Sequence, residues 1–190
     1  RSGAVNLHVD GDFLIEIPVK QSGLYMDMTE SRFDFESGAA SRTVSMSTNL
    51  SFWNVLEKPS WVSVSPESGE AGEHTLTINV EDNPNTTKRE GRVVVGNQGL
   101  SLADTLWVTQ EGKSFGPLET VLQFENVASS NTLDISTDGD WTVTTSDGWI
   151  TVAPSSGHGN GQVTVTVEAN ETDNERTGLL SVAVGGTVQY

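Results

Sequence analysis

Apolar residues recur at every second position along this chain, in short runs separated by Gly, Pro, Asn and Asp. Val5, Leu7 and Val9 alternate with Asn6 and His8; Ile15, Ile17 and Val19 follow the Asp10-Gly11-Asp12 turn. Pro18 has no N–H to give to a ladder and leaves its strand a free side. Then come Phe33/Phe35, Val44/Met46, Trp53/Val55, Val62/Val64, Leu76/Ile78/Val80, Val93/Val95 and Leu106/Val108. A second series follows: Leu122/Phe124, Leu133/Ile135, Trp141/Val143, Ile150/Val152, Val163/Val165/Val167 and Leu180/Val182/Val184. A period of two is that of a strand with one face buried, and no stretch holds a helical period. The pattern predicts an all-β chain with about seven short strands per series, the count and spacing of an immunoglobulin-like antiparallel β-sandwich repeated in tandem.

The two series are copies. Trp61-Val-Ser-Val-Ser-Pro-Glu-Ser-Gly69 returns as Trp149-Ile-Thr-Val-Ala-Pro-Ser-Ser-Gly157, 88 positions on, and Trp53 returns as Trp141 at the same shift. Asn83 and Arg89-Glu90-Gly91 return 87 positions later as Asn170 and Arg176-Thr177-Gly178, and Thr43–Thr48 returns 89 positions later as Thr132–Thr137. Residues 1–22 match the end of a unit, since Gln21 stands 89 positions before Gln110. The repeat therefore predicts three segments: 1–22 as the terminal hairpin of a preceding unit, 24–112 as one sandwich, and 114–190 as a second sandwich lacking its closing strand. By this reading the chain is a window on a longer array. The linkers Ser22-Gly23 and Glu111–Pro117 are Gly-rich and polar, which predicts hinge freedom between units.

Residues kept by a repeat are first candidates for the core. Trp53, Trp61, Trp141 and Trp149 are read as core residues, each able to bury about 150–250 Å². Pro66/Pro154 and Gly69/Gly157 bound a strand and turn the chain. Asn83 and Asn170 sit where a strand ends and are suited to cap the turn that follows; Arg89 and Arg176 are placed to brace that turn. The ordered set of W-x-V or W-T-V, W-[IV]-x-V-x-P-x-S-G, a V-x-[VI]-x-V-like strand, Asn, R-x-G and a closing V-T-Q resembles the BACON family, whose name stands for Bacteroidetes-associated carbohydrate-binding, often N-terminal. The resemblance covers nearly the whole chain. It implies an immunoglobulin-like sandwich in a secreted or cell-surface protein associated with the outer membrane, often beside glycan-degrading modules, with carbohydrate as the implied ligand. It supplies no binding residues to carry over.

The net charge of −16 repels a phosphate backbone, which argues against nucleic acid, and disfavours anionic lipid. No apolar run is long enough to span a membrane, so no membrane insertion of this segment is expected. Cysteine is absent, which removes disulfides and thiolate chemistry. His8, His74 and His158 sit in unrelated positions without a partnered acid, so no catalytic residue is assigned and no enzyme is expected. Asp10-Gly11-Asp12 and Asp138-Gly139-Asp140 are read as turns, because calcium needs roughly six to eight oxygen ligands and the rest of a calcium loop is missing. No metal and no cofactor is expected.

The remaining lead is aromatic. Leu106 and Val108 point inward by alternation, so Trp107 points outward, where a flat ring suits stacking on sugar. Phe52, beside Trp53, is a second candidate. Binding is expected where the repeats differ, at Trp107 or in the turns Gly69–Glu73 and Gly157–Gly161. The expected function is a non-catalytic pair of modules binding glycans; the alternative is a structural spacer or adhesion stalk presenting neighbouring domains of a longer chain. The sequence also admits strand addition, with Phe13–Gln21 of one chain closing a unit of another.

Overall fold

A computed structural model describes residues 2–9, 13–116 and 121–189. The turn Asp10-Gly11-Asp12 lies outside the described residues. The chain opens with a hairpin, β1 (Ser2–Val9) against β2 (Phe13–Lys20). Its register pairs Ala4 with Pro18, as the later hairpin pairs Arg92 with Trp107.

The first sandwich holds β3 (Met26–Met28), β4 (Arg32–Phe35), β5 (Ala40–Thr48), β6 (Trp53–Glu57), β7 (Val62–Ser65), β8 (Ser68–Gly69), β9 (Gly72–Val80), β10 (Arg89–Asn97) and β11 (Leu102–Gln110). One sheet runs β3-β5-β9-β7 and the other β4-β11-β10-β6-β8. The second holds β12 (Ser129–Ile135), β13 (Asp140–Thr145), β14 (Ile150–Ala153), β15 (Ser156–His158), β16 (Gly161–Val167), β17 (Leu180–Val184) and β18 (Thr187–Gln189). Its sheets run β12-β16-β14 and β15-β13-β17-β18, the same order as β5-β9-β7 and β8-β6-β10-β11. The fold is thus a tandem of immunoglobulin-like β-sandwiches, antiparallel except that β4 runs parallel to β11.

The alternation read from the sequence becomes two separate apolar cores. One gathers Val44, Met46, Leu76, Ile78, Val93, Val95, Leu106 and Val108 around Trp53; the other gathers Leu133, Ile135, Val163, Val165, Val182 and Val184 around Trp141. Trp53 is 0% and Trp141 3% exposed. Their indole N–H groups donate to Glu70 O at 3.0 Å and Gly159 O at 2.9 Å, so neither ring buries an unsatisfied donor. This explains the glycines of the repeated motif. A Cβ on Gly69 would stand 2.7 Å from the Trp53 ring, and one on Gly157 2.3 Å from the Trp141 ring. The strand edge lies flat on each indole, and only glycine permits it.

Trp61 and Trp149 differ from Trp53 and Trp141. Both are only half-buried, at the rim of their cores. Each is roofed by a guanidinium, Arg89 at 4.5 Å and Arg176 at 4.2 Å from the ring centroid. The same Arg89 donates to Gln110 Oε1 through Nε (2.9 Å) and Nη2 (2.7 Å), and to the carbonyls of Glu81 and Asp82. Gln110, wholly buried at the end of β11, sends its amide N–H₂ to the carbonyls of Ser37, Gly38 and Glu81. This Gln–Arg–Trp stack fastens the closing strand to the two loops beside it.

In the second sandwich β18 takes the place of β11, pairing with β17 over Val182, Ala183 and Val184. Leu122 and Phe124, counterparts of Phe33 and Phe35, pack on the core without forming a strand. A groove of about 780 Å³ in this sandwich is lined by Leu122, Phe124, Trp149, Ile150, Arg176 and Leu180 among others.

The linker is bonded to both sandwiches. Lys113 N donates to Asn85 O at 2.8 Å, and Lys113 Nζ pairs with Asp82 at 2.6 Å. Ser114 donates through its N and Oγ to the Asp138 carboxylate, which also accepts from Ser37 Oγ of the first sandwich. Gly112 lies so close to Thr86 that a Cβ would sit 2.2 Å from its carbonyl oxygen.

Candidate functional site

The outer face of the β4-β11-β10-β6 sheet carries the one predicted aromatic that stands free on a strand. Inward alternation of Leu106 and Val108, both 0% exposed, forces Trp107 out, where it is 49% exposed. Its cross-strand partners are Arg32 on β4 and Arg92 on β10. With strands about 4.8 Å apart, Trp107 stands on the sheet face between these two arginine positions. Arg92 makes a side-on pair with Glu57, Nε to Oε1 at 2.9 Å and Nη2 to Oε2 at 2.8 Å. Arg32 bonds Asp34 at 2.9 Å through Nε and Thr109 Oγ1 at 2.7 Å through Nη2. Across the sheet, Arg92, Trp107 and Arg32 stand side by side, Arg92 paired with Glu57 of β6 and Arg32 with Asp34 two residues along its own strand.

These pairs set the protonation states. The Arg92 hydrogen bond holds the Glu57 carboxyl below the usual range against desolvation, with the Arg92 charge adding to it, and Glu57 in turn raises Arg92. The Arg32 hydrogen bond lowers Asp34 in the same way, helped by Thr109. Each arginine is matched by one carboxylate, so the two ion pairs together add no net charge. Such a surface offers an apolar ring face flanked by planar donors and acceptors. That suits a neutral polyhydroxylated ligand, whose C–H face stacks on the indole while its hydroxyls bond the rims.

Phe52 does not join this site. It is 51% exposed in the loop before β6, with its carbonyl accepting from Asn97 Nδ2 at 3.0 Å. Asn97 is five residues along β10 from Arg92, or roughly 17 Å at about 3.4 Å per residue, so Phe52 and Trp107 are separate features. The turns Gly69–Glu73 and Gly157–Gly161 close over Trp53 and Trp141, supplying the carbonyls of Glu70 and Gly159. In the second, His158 Nδ1 lies 2.8 Å from Asp140 Oδ1, both exposed. His74 packs edge-on to Trp53 with 5.0 Å between ring centroids. Asn83 and Asn170 cap their turns, Nδ2 donating to Thr87 O at 3.0 Å and Asn174 O at 2.8 Å. Among the described residues no group of three His, Asp or Glu side chains is arranged to hold a metal, and no helix is long and apolar enough to cross a membrane.

Alternation was enough to find Trp107, but not its two arginines. Their roles depend on strand order, above all on the parallel pairing of β4. The second sandwich lacks the row: Val121 and Leu179, both exposed, stand at the places of Arg32 and Arg92.

The fold defines a class, tandem immunoglobulin-like β-sandwich modules. Residues 51–111 match the BACON family model, described as "Putative binding domain, N-terminal", and residues 117–189 match the model of the viral BACON domain. The chain belongs to the BACON family. It is 35% identical over 65 residues to the xyloglucan-specific endo-beta-1,4-glucanase BoGH5A of Bacteroides ovatus, a match covering 34% of this chain and 13% of that enzyme. Among solved structures, it is similar to a Bacteroides ovatus GH5 xyloglucanase in complex with a XXXG heptasaccharide (21% identity, TM-score 0.42, 55% of this chain and 22% of the other). It is also similar to the periplasmic chaperone SfaE (15% identity, TM-score 0.37, 87% and 97%).

Proposed function

We propose that this chain is a non-catalytic glycan-binding segment of a secreted or cell-surface protein, with Trp107 as its stacking platform. The observation that carries this reading is the Trp107 row: an exposed indole between two arginines, each neutralised by its own carboxylate. The family and the relationship to part of a glycan-degrading enzyme support it. Residues 24–112 and 114–190 act as the two modules, and only the first presents the row. The neutral balance of charges favours uncharged polysaccharides over acidic ones, which the net charge of −16 also repels. Retention of the protein by a panel of immobilised plant and mucin glycans, xyloglucan included, tests the reading. No retention by any of them contradicts it.

The pinned linker favours a second role, that of a spacer holding other domains at a set distance. Small-angle scattering of the chain distinguishes it: an elongated, stiff particle is expected, and a distribution of inter-unit distances would contradict it. The two roles are compatible, since a stiff pair of sandwiches presents the Trp107 face in a fixed direction.

A further inference from the structure

Trp107 has occupied surface on three of its four sides. Across the strands, Arg92 on β10 is held by Glu57, and Arg32 on β4 is held by Asp34 and Thr109. Along β11 toward Gln110, the next outward residue is Thr109, which is only 1% exposed and accepts from Arg32 Nη2 through its hydroxyl. Its cross-strand neighbours there are two carboxylates, Asp34 and Glu90. The fourth side runs back along β11 toward Leu102.

On that side the residues are short and uncharged. Thr105 and Ala103 follow Trp107 along β11, and Val94 and Gly96 stand opposite them on β10. Alternation with the buried Val93, Val95 and Leu106 puts all four on the outer face. Nothing larger than glycine fits at position 96, where a Cβ would lie 2.4 Å from Leu102 O and 2.6 Å from Ala103 Cβ. The surface therefore stays low along both strands. Glu57 and Asn54 of β6 border it, paired in register with Val94 and Gly96. Asn54 Nδ2 donates to Val55 O at 3.1 Å, while the Asn54 side-chain oxygen and the Thr105 hydroxyl make no hydrogen bond among the described residues. From Trp107 to Ala103 this lane is four residues long, or roughly 14 Å at about 3.4 Å per residue.

We propose that the ligand lies along this lane, one sugar ring on Trp107 and the next ones over Thr105/Val94 and Ala103/Gly96, so that the site takes an extended, uncharged, β-1,4-linked backbone rather than a single terminal sugar. The inference rests on the reading of Trp107 as a glycan platform and adds the direction and the class of chain. A chain laid across the strands would have to pass over two side-chain ion pairs and disturb their charge-assisted hydrogen bonds. A chain laid along them meets a low floor, with the Thr105 hydroxyl and the Asn54 oxygen within its borders for the sugar hydroxyls. A β-1,4-linked backbone is a ribbon that keeps successive rings in line with two paired strands; an α-1,4-linked one coils and leaves the floor after the first rings. Ala103 is then a specificity-determining position, because its side chain sets how far the backbone can run.

The test is calorimetric titration of the 190-residue protein with two ladders, β-1,4-linked and α-1,4-linked gluco-oligosaccharides, each from the disaccharide to the hexasaccharide. Affinity for the β-1,4 ladder is expected to rise about tenfold with length and level off once the lane is filled, while the α-1,4 ladder stays at the level of its disaccharide. Ala103→Arg brings the β-1,4 hexasaccharide down to the affinity of the disaccharide. Thr43→Arg, exposed on the opposite sheet, keeps the full gain with length; melting temperatures show that both variants are folded. A β-1,4 ladder bound equally at every length, or one that keeps its gain in Ala103→Arg, overturns the lane and leaves Trp107 as a platform for a single ring. An α-1,4 ladder that gains as much overturns the extended backbone. Binding of neither ladder overturns the proposal as well, and the platform itself is then decided by the wider glycan panel.

Discussion

Replacing Gln110 by Leu tests how the closing strand is held. The side chain is wholly buried; its amide nitrogen lies 3.0, 2.9 and 2.9 Å from the carbonyls of Ser37, Gly38 and Glu81, and its oxygen accepts twice from Arg89. Leucine fills most of the volume, so little is lost to a cavity, and the change isolates the polar contacts. Ser37 O and Glu81 O keep other donors, Asn83 N and Arg89 Nη2. Gly38 O loses its amide partner, whereas Arg89 loses only the Gln110 oxygen and keeps the Glu81 and Asp82 carbonyls as acceptors. Leaving one buried polar group unmet costs about 1–3 kcal/mol, so a loss of about 1–3 kcal/mol is predicted. Urea unfolding followed by tryptophan fluorescence measures it, with the exposed Gln123→Leu as control. A loss below about 1 kcal/mol, or an equal loss in the control, would refute the claim that this glutamine fastens the strand.

Other expectations follow from the same contacts. Gly157→Ala drives a methyl into the buried Trp141 ring, with the Cβ 2.3 Å from Cζ2, and should cost about 1–3 kcal/mol by overpacking; thermal unfolding of the variant checks it, and an unchanged melting temperature contradicts it. Trp53→Ala should cost about 3–5 kcal/mol, and a folded variant with near wild-type stability would contradict its place at the centre of the core. Burial opposes ionisation of Asp138, but hydrogen bonds from Ser37 and Ser114 outweigh it and hold its carboxyl below the usual value of 3.8. A lowered folded-state value means that the stabilisation is complete above the unfolded value and is lost as pH falls through the folded one. The inter-sandwich joint is therefore expected to hold at neutral pH and loosen only below about pH 4; scattering profiles that already change between neutral pH and pH 5 would contradict this.

Period-two alternation and the repeated Trp and Gly positions were enough to read the fold, because each marks a buried face or a close approach that nothing else in the chain supplies. Trp53 and Trp141 sit where the repeat put them. Trp61 and Trp149 directly precede the buried Val62 and Ile150, so alternation sets them on the other face, and the repeat alone did not show that they are half-buried beneath arginines. The direction of β4 was hidden because Phe33 and Phe35 alternate identically in parallel and antiparallel pairings. That pairing brings Arg32 beside Trp107, so the site's charged flanks were hidden with it. Gln21 and Gln110 recurred at a fixed spacing, a signal that a polar residue was structurally required, yet its burial needs three loops that meet only in space. The bond between Ser37 and Asp138 beside the linker joins residues about a hundred positions apart, a contact no local pattern could show.

The direct test of the central claim is a calorimetric titration of the protein, and of Trp107→Ala, with whichever glycan the panel retains most strongly. Trp107 is exposed and outside both cores, so its removal leaves the fold intact. The account predicts saturable binding that weakens at least tenfold in the variant, about 1.4 kcal/mol. Equal affinity for the two proteins would contradict it and move the binding surface away from the β4-β11-β10-β6 face.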